Sequence, residues 1–231
     1  MRYVYCQPLF DERKCAHRFS YQLKKVFQAN GLTLERFDYC GTGESEGEFA
    51  DVSMESLLGD IGGYIGGEEA SLIGLRFGAS LAFNYCVKNS GQVKNLILME
   101  PVTEGAKYVD YLFRKQGIKD LITGKLSPSM REDGYKNLEG YKTSIKFIEQ
   151  IKNLYLVEMA KRCRLKNSVL VVQISNRLKI NPETASLWKQ LESSAKKASL
   201  ENVKLPTFWE RMPNPDYSEL MGKVLRWCNA G

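Results

Sequence analysis

The chain has 231 residues, of which 43% are hydrophobic and 26% charged, with a formal net charge of +6. This is the composition of a soluble globular protein, with enough chain for one α/β domain and a sizeable core. No run of about 18 apolar residues occurs, which excludes an integral membrane helix.

The chain enters a strand-like run at once in "MRYVYCQPLF", with no signal peptide expected ahead of it. Strand-like and helix-like patterns then alternate, as in βα units around a parallel sheet. The strand candidates are "RYVYC", "LTLERFDY", "ASLIGL", "VKNLILME", "SVLVVQIS" and "NVKLPTFW". Most are rich in Val, Leu, Ile and aromatics, which suits strands covered on both faces. "LTLERFDY" is more polar and alternates, which suits an edge.

Between them lie the helix candidates. "RFSYQLKKVFQANG" sets Phe19, Leu23, Val26 and Phe27 on one face and stops at Gly31. "DVSMESLLGDIGGYI" opens on Ser53 as a cap, although its glycines make it weak by propensity. "GASLAFNYCVKN", "PETASLWKQLESSAKKA" (with Pro182 in its first turn) and "SELMGKVLRWC" follow. A gap of about 65 residues separates the fourth strand from "SVLVVQIS", too long for a structureless loop. Its runs "AKYVDYLFRKQ" and Tyr141 to about Arg164 predict a helical insertion, a cap over one sheet edge from about Thr103 to Lys166.

Four stretches recur at the ends of successive strands: "QPLFDERKCAHRFSYQLKKVF", "FDYCGTGESEGEFADVSMESLLGDI", "GLRFGASLA" and "LMEPVTEGAKYVDYLFRKQ". In this order they resemble an α/β-hydrolase domain over nearly the whole chain, residues 1–231, and most of all the exosortase-associated hydrolases. Pro8-Leu9-Phe10-Asp11-Glu12 is similar to that family's P-F-x-E-E segment. Asp38, Gly41, Gly43, Glu44, Ser45, Gly47 and Phe49 follow its D-x-x-G-x-G-D-S-x-G-x-F run. The resemblance implies a mainly parallel sheet of about six strands with helices on both faces. It also implies a start at the fold's third strand, leaving "LTLERFDY" at the open edge.

In that fold the strand-to-helix elbow reads G-x-S-x-G, and its serine works with an acid and a histidine that follow in the chain. Here the apex is Arg76, whose guanidinium is no nucleophile. The residues matching the acid position, at the end of "SVLVVQIS" and just beyond it, are Ser175, Asn176 and Arg177, with no carboxylate. The loop after the last strand, "ERMPNPDYS", has no histidine, and the chain's single His is His17. All three triad positions are empty together, which points to a catalytically degenerate hydrolase. The alternative is an ester or thioester hydrolase that uses Cys40 or Ser45 with His17 as base. Ser80, one turn past Arg76, lacks the exposed geometry of an elbow.

A cation at the elbow adds to the positive potential of a helix N-terminus and calls for an anion. Either Asp11, Glu12 or Glu100 supplies it, or Arg76 grips a carboxylate or phosphate of a ligand. The candidate binding set at this edge is therefore Leu9, Phe10, Glu12, Arg76, Phe77 and Glu100, with a small anionic or acyl ligand, and Phe208 and Trp209 as further lining residues. "GTGESEG" lacks the spacing and lysine of a phosphate loop and reads as a structural turn. The six cysteines have no C-x-x-C spacing, so thiols in a reducing, cytoplasmic setting are expected, with no metal or cofactor. The basic run "AKRCRLKN" reads as a solvated helix end, and no nucleic-acid partner is expected. The polar edge strand could pair with a second copy to form a homodimer.

Overall fold

The computed structural model describes residues 1–124, 134–177, 179–211 and 215–230. In chain order its elements are β1 (Arg2–Cys6), α1 (Phe10–Ala29), β2 (Thr33–Arg36), a 3-10 turn (Phe49–Asp51), α2 (Met54–Ile65), β3 (Ala70–Leu75), α3 (Phe77–Lys88) and β4 (Val93–Met99). There follow α4 (Gly105–Thr123), β5 (Tyr135–Leu138), β6 (Tyr141–Ser144), α5 (Ile145–Lys152), α6 (Leu156–Arg162), β7 (Ser168–Ser175), α7 (Pro182–Ser194), β8 (Lys197–Lys204) and α8 (Ser218–Asn229). They form two compact units: Met1–Phe37 with Ile61–Thr103 and Leu156–Gly231, and Asp38–Asp60 with Glu104–Tyr155.

The first unit contains a six-stranded sheet in the order β2-β1-β3-β4-β7-β8, with every neighbouring pair parallel. Strand alternation divides its side chains between two layers. Tyr3, Tyr5, Ile73, Leu75, Ile97, Met99, Leu170 and Val172 join α1 (Phe19, Leu23, Phe27) and α8 (Leu220, Val224) in one core. The alternate residues Val4, Leu72, Leu98 and Val171 are also buried, outside that core. There α3 packs on β3 and β4, and α7 on β7 and β8. Double-sided burial explains why these strands are continuous apolar runs.

The chain runs outward from β1 to β2, then crosses back to β3 and proceeds to β8 on the other side. The direction of winding reverses between β1 and β3, and a crevice opens at such a switch point, beyond the carboxyl ends of the strands. β2 is outermost, as its polar pattern predicts, although only Thr33–Arg36 of "LTLERFDY" is strand.

Two segments differ from the sequence expectation. The last strand is Lys197–Lys204, not "NVKLPTFW", and α7 stops at Ser194. β8 is an edge strand and mostly half-buried, so it carries Lys, Ser, Glu and Asn that mask its pattern. Its place is set by pairing along β7 from Ser168–Lys197 to Ser175–Lys204. Tyr141 to Arg164 is also not one helix. β5 and β6 form an antiparallel hairpin around Glu139 and Gly140, both at positive φ (54° and 94°), as a two-residue turn of matching twist requires. Ser144 then caps α5, its hydroxyl accepting the Phe147 N–H at 3.1 Å.

In the second unit Phe49 packs on Tyr141 with ring centroids 4.7 Å apart. Gln150 of α5 accepts the Met54 N–H at 2.9 Å and donates to Glu55 at 2.8 Å. The start of α2 is capped as expected, with Ser53 Oγ accepting the Ser56 N–H at 3.1 Å. Pro128 of the expected insertion lies outside the described residues.

Candidate functional site

The turn from β3 into α3 is a sharp elbow, and its two glycines show why. A Cβ on Gly74 would stand 2.3 Å from Ala79 Cα. One on Gly78 would stand 2.2 Å from the Cys6 carbonyl oxygen and 2.4 Å from that of Gln7. Strand, helix and the end of β1 thus approach closer than any side chain allows. Between the glycines Arg76 takes φ 55° and ψ −125°, an arrangement costing about 1–3 kcal/mol that surrounding contacts must sustain. Its N–H donates to Met99 O at 3.0 Å, and its carbonyl accepts the N–H of Ala79 at 3.0 Å and of Val102 at 3.4 Å. Phe10 (φ 56°) and Glu100 (φ 42°), just past β1 and β4, share the positive-φ conformation.

These three turns bring a cation and two acids together. Arg76 donates from Nε and from Nη2 to Glu12 Oε1, each at 3.2 Å, and from Nη1 to the Glu100 carbonyl oxygen at 3.4 Å. Glu12 is fully buried, whereas the Arg76 side chain keeps 16% exposure. Trp209, in the loop after β8, lies over the guanidinium with 5.1 Å from Cζ to the ring centroid. The Glu100 carboxylate turns away and accepts the Ile174 N–H at 2.7 Å. Burial pushes its pKa up, opposed by that N–H and by the Arg76 charge. Asp11 instead meets Lys14 near the surface, at 3.1 Å. The anion at the elbow is therefore Glu12, with Glu100 contributing its backbone oxygen. Leu9, Phe10 and Phe77 are buried at the same edge.

The other candidates are placed differently. α1 begins at Phe10, earlier than the sequence pattern suggests. His17 therefore lies two turns along it and exposed, about 10 Å from the helix start at 1.5 Å per residue. The Cys40 thiol is exposed and donates to Glu46 O at 3.2 Å. Ser45 Oγ donates to the carbonyls of Tyr39 and, at 2.8 Å, of Thr42. With Gly41 N–H on Glu46 O at 2.8 Å, these bonds tie "GTGESEG" into a turn built from its own backbone. Ser80 is buried and its hydroxyl donates to Val102 O at 2.7 Å. Ser175 ends β7 and Asn176 follows it. Of the histidine-free last loop, residues 212–214 lie outside the described residues. Among the described residues no group of three or more His, Cys, Asp or Glu could hold a metal ion, and no helix is long and apolar enough to cross a membrane.

Sequence reasoning placed Trp209 at this edge but not over Arg76. The available signal was an aromatic in the loop after the last strand, on the same sheet edge as an arginine that needs cover. The role of Ile174 as donor to Glu100 had no sequence signal, because it belongs to the backbone.

No protein-family model matches this sequence, and no curated protein does. Solved structures do. Est1E from Butyrivibrio proteoclasticus with bound ferulic acid is 14% identical, with TM-score 0.70 over 99% of this chain and 88% of that one. A structure from work on the metagenome-derived lipolytic enzymes LipS and LipT is 13% identical, with TM-score 0.65 over 100% and 94%. The enol-lactonase from Burkholderia xenovorans is 15% identical, with TM-score 0.64 over 99% and 91%. At such identities the likeness is one of fold: this chain has the α/β-hydrolase fold.

Proposed function

We propose that this chain is a catalytically degenerate α/β-hydrolase, allied by its motifs to the exosortase-associated hydrolases, that binds a small anionic or acyl ligand or a partner protein at the Arg76 edge. On this reading residues 1–231 are one hydrolase-like domain with an insertion at about 103–166, working in the cytoplasm with its cysteines as thiols. The observation that carries it is the Arg76–Glu12 pair. The elbow apex holds a permanently protonated group bonded to a buried carboxylate, where triad chemistry needs a nucleophile beside a base. Part of the Arg76 side chain remains exposed, and the Nη1 contact to the Glu100 carbonyl is longer than the contacts to Glu12. A ligand carboxylate or phosphate competes for that outer nitrogen, with Leu9, Phe10 and Phe77 beneath and Trp209 beside it.

A panel of short-chain and long-chain acyl esters and thioesters tests this reading, and no turnover above the uncatalysed rate is expected. Robust turnover that survives both Arg76→Ala and His17→Ala overturns it. The exposed Cys40 thiol favours one competing reading, hydrolysis by Cys40 or Ser45 with His17. A single fast-alkylating cysteine at position 40, with activity lost on alkylation, decides for that reading. The outermost position of β2 favours self-association through the sheet edge, and light scattering that shows only monomer removes it.

A further inference from the structure

A cavity of about 330 Å³ opens at the opposite, amino-terminal edge of the sheet. Its lining includes Lys94 and Asn95 at the start of β4, Lys166 and Asn167 just ahead of β7, and Lys196 just ahead of β8, with Glu69 as its one carboxylate. The wall is built. Asn167 is buried, its amide donates to the carbonyls of Val93 and, at 3.1 Å, of Ser90, and its side-chain oxygen accepts the Cys86 thiol at 3.4 Å. Its backbone oxygen accepts the Lys196 N–H at 3.1 Å, which fixes where β8 begins.

Two features of this wall have no use within the protein. Asn95 as a residue is 7% exposed, yet its amide nitrogen meets only the Met1 sulfur, at 4.0 Å, and its side-chain oxygen bonds no described residue. Burying an amide without good partners is costly, so such a group is normally met by a neighbour, water or ligand. The ammonium groups of Lys94, Lys166 and Lys196 form no ion pair or hydrogen bond with any described residue. Three uncompensated cations around one concave, partly polar wall focus a positive potential on it.

We propose that this cavity binds a small phosphorylated, hydroxyl-bearing metabolite, its phosphate held by Lys94, Lys166 and Lys196 and a hydroxyl donating to the Asn95 side-chain oxygen. The volume lies at the small end of the range for ligand sites, so the ligand has the size of a sugar phosphate rather than of a dinucleotide. The basic run "AKRCRLKN" then has a second role, since it delivers Lys166 and Asn167 to the site. The site is independent of the elbow and of whether the elbow is catalytic.

Calorimetric titration in low-salt buffer free of phosphate and sulfate, with glucose 6-phosphate and inorganic pyrophosphate as probes, tests the proposal. The expected result is saturable binding of one molecule per chain, weakened at least about tenfold in the Lys166→Ala/Lys196→Ala double variant, as loss of charge-assisted contacts implies. Asn95→Ser should weaken glucose 6-phosphate more than pyrophosphate. A Lys24→Ala/Lys136→Ala variant removes the same charge elsewhere and should bind as the wild type does. Absence of saturable binding of either probe overturns the proposal, and so does equal weakening by the two double variants.

Discussion

At the carboxyl edge of the sheet, Arg76 is bonded to a fully buried glutamate, touches a backbone oxygen and lies against an indole. At the amino edge, Lys94, Lys166 and Lys196 line a cavity and meet no such partner among the described residues. The first cation is integrated into the fold, and the others are not. The contrast shows how a charge at the elbow becomes structural: the apex is bonded to the helix that follows the neighbouring strand. It also shows where charge remains available, at an edge that the hydrolase scaffold does not use for triad chemistry.

The comparison can be broken most severely at Gly78. Gly78→Ala places a methyl 2.2 Å from the Cys6 carbonyl oxygen, which should cost about 3 kcal/mol or more and leave little folded protein. Urea unfolding followed by circular dichroism measures it. Arg76→Met comes next. It leaves Glu12 buried without its guanidinium, and breaking such a pair costs on the order of 3 kcal/mol.

Glu100→Gln has a smaller, pH-dependent effect. Burial raises the Glu100 pKa in the folded protein, so its proton is bound more tightly there than in the unfolded chain. The stability this contributes is present below the ordinary carboxylate pKa of about 4.3 and is lost as pH rises through the raised value. The glutamine keeps an acceptor for the Ile174 N–H but does not titrate. Its unfolding free energy should therefore fall less than the wild type's between about pH 4 and neutrality. A parallel pair of curves contradicts the assignment. The smallest effect belongs to the other edge. Lys166→Ala/Lys196→Ala should change stability by no more than about 0.5 kcal/mol, because both side chains are exposed and form no ion pair with any described residue.

Most of the sheet was legible from sequence because its strands are covered on both faces. β1, β3 and β7 have the predicted bounds, and β4 nearly so. β8 was displaced by several residues because a half-exposed edge strand need not be apolar, and "KASLENVK" carries no period. The hairpin at Glu139–Gly140 was missed although "NLEGYK" holds a glycine at the turn, because its strands are short and polar. At the elbow, the glycine spacing and the identity of Arg76 were readable. The choice among Asp11, Glu12 and Glu100 was not, since it depends on where α1 begins and on which way each carboxylate turns. The cavity at the amino edge was invisible for the same reason: Asn95, Asn167 and Lys196 are far apart in sequence and meet only through the order of β4, β7 and β8.

The claim that Arg76 belongs to the fold is tested most directly by a double-mutant cycle on Arg76→Met and Glu12→Gln, read by urea unfolding. The two residues bond at 3.2 Å, so the double variant should be more stable than the sum of the single losses predicts, by at least about 1 kcal/mol of coupling. Additive losses, within about 0.3 kcal/mol, would show that the two side chains do not depend on one another. The Glu12 contact would then not be what holds Arg76 at the elbow.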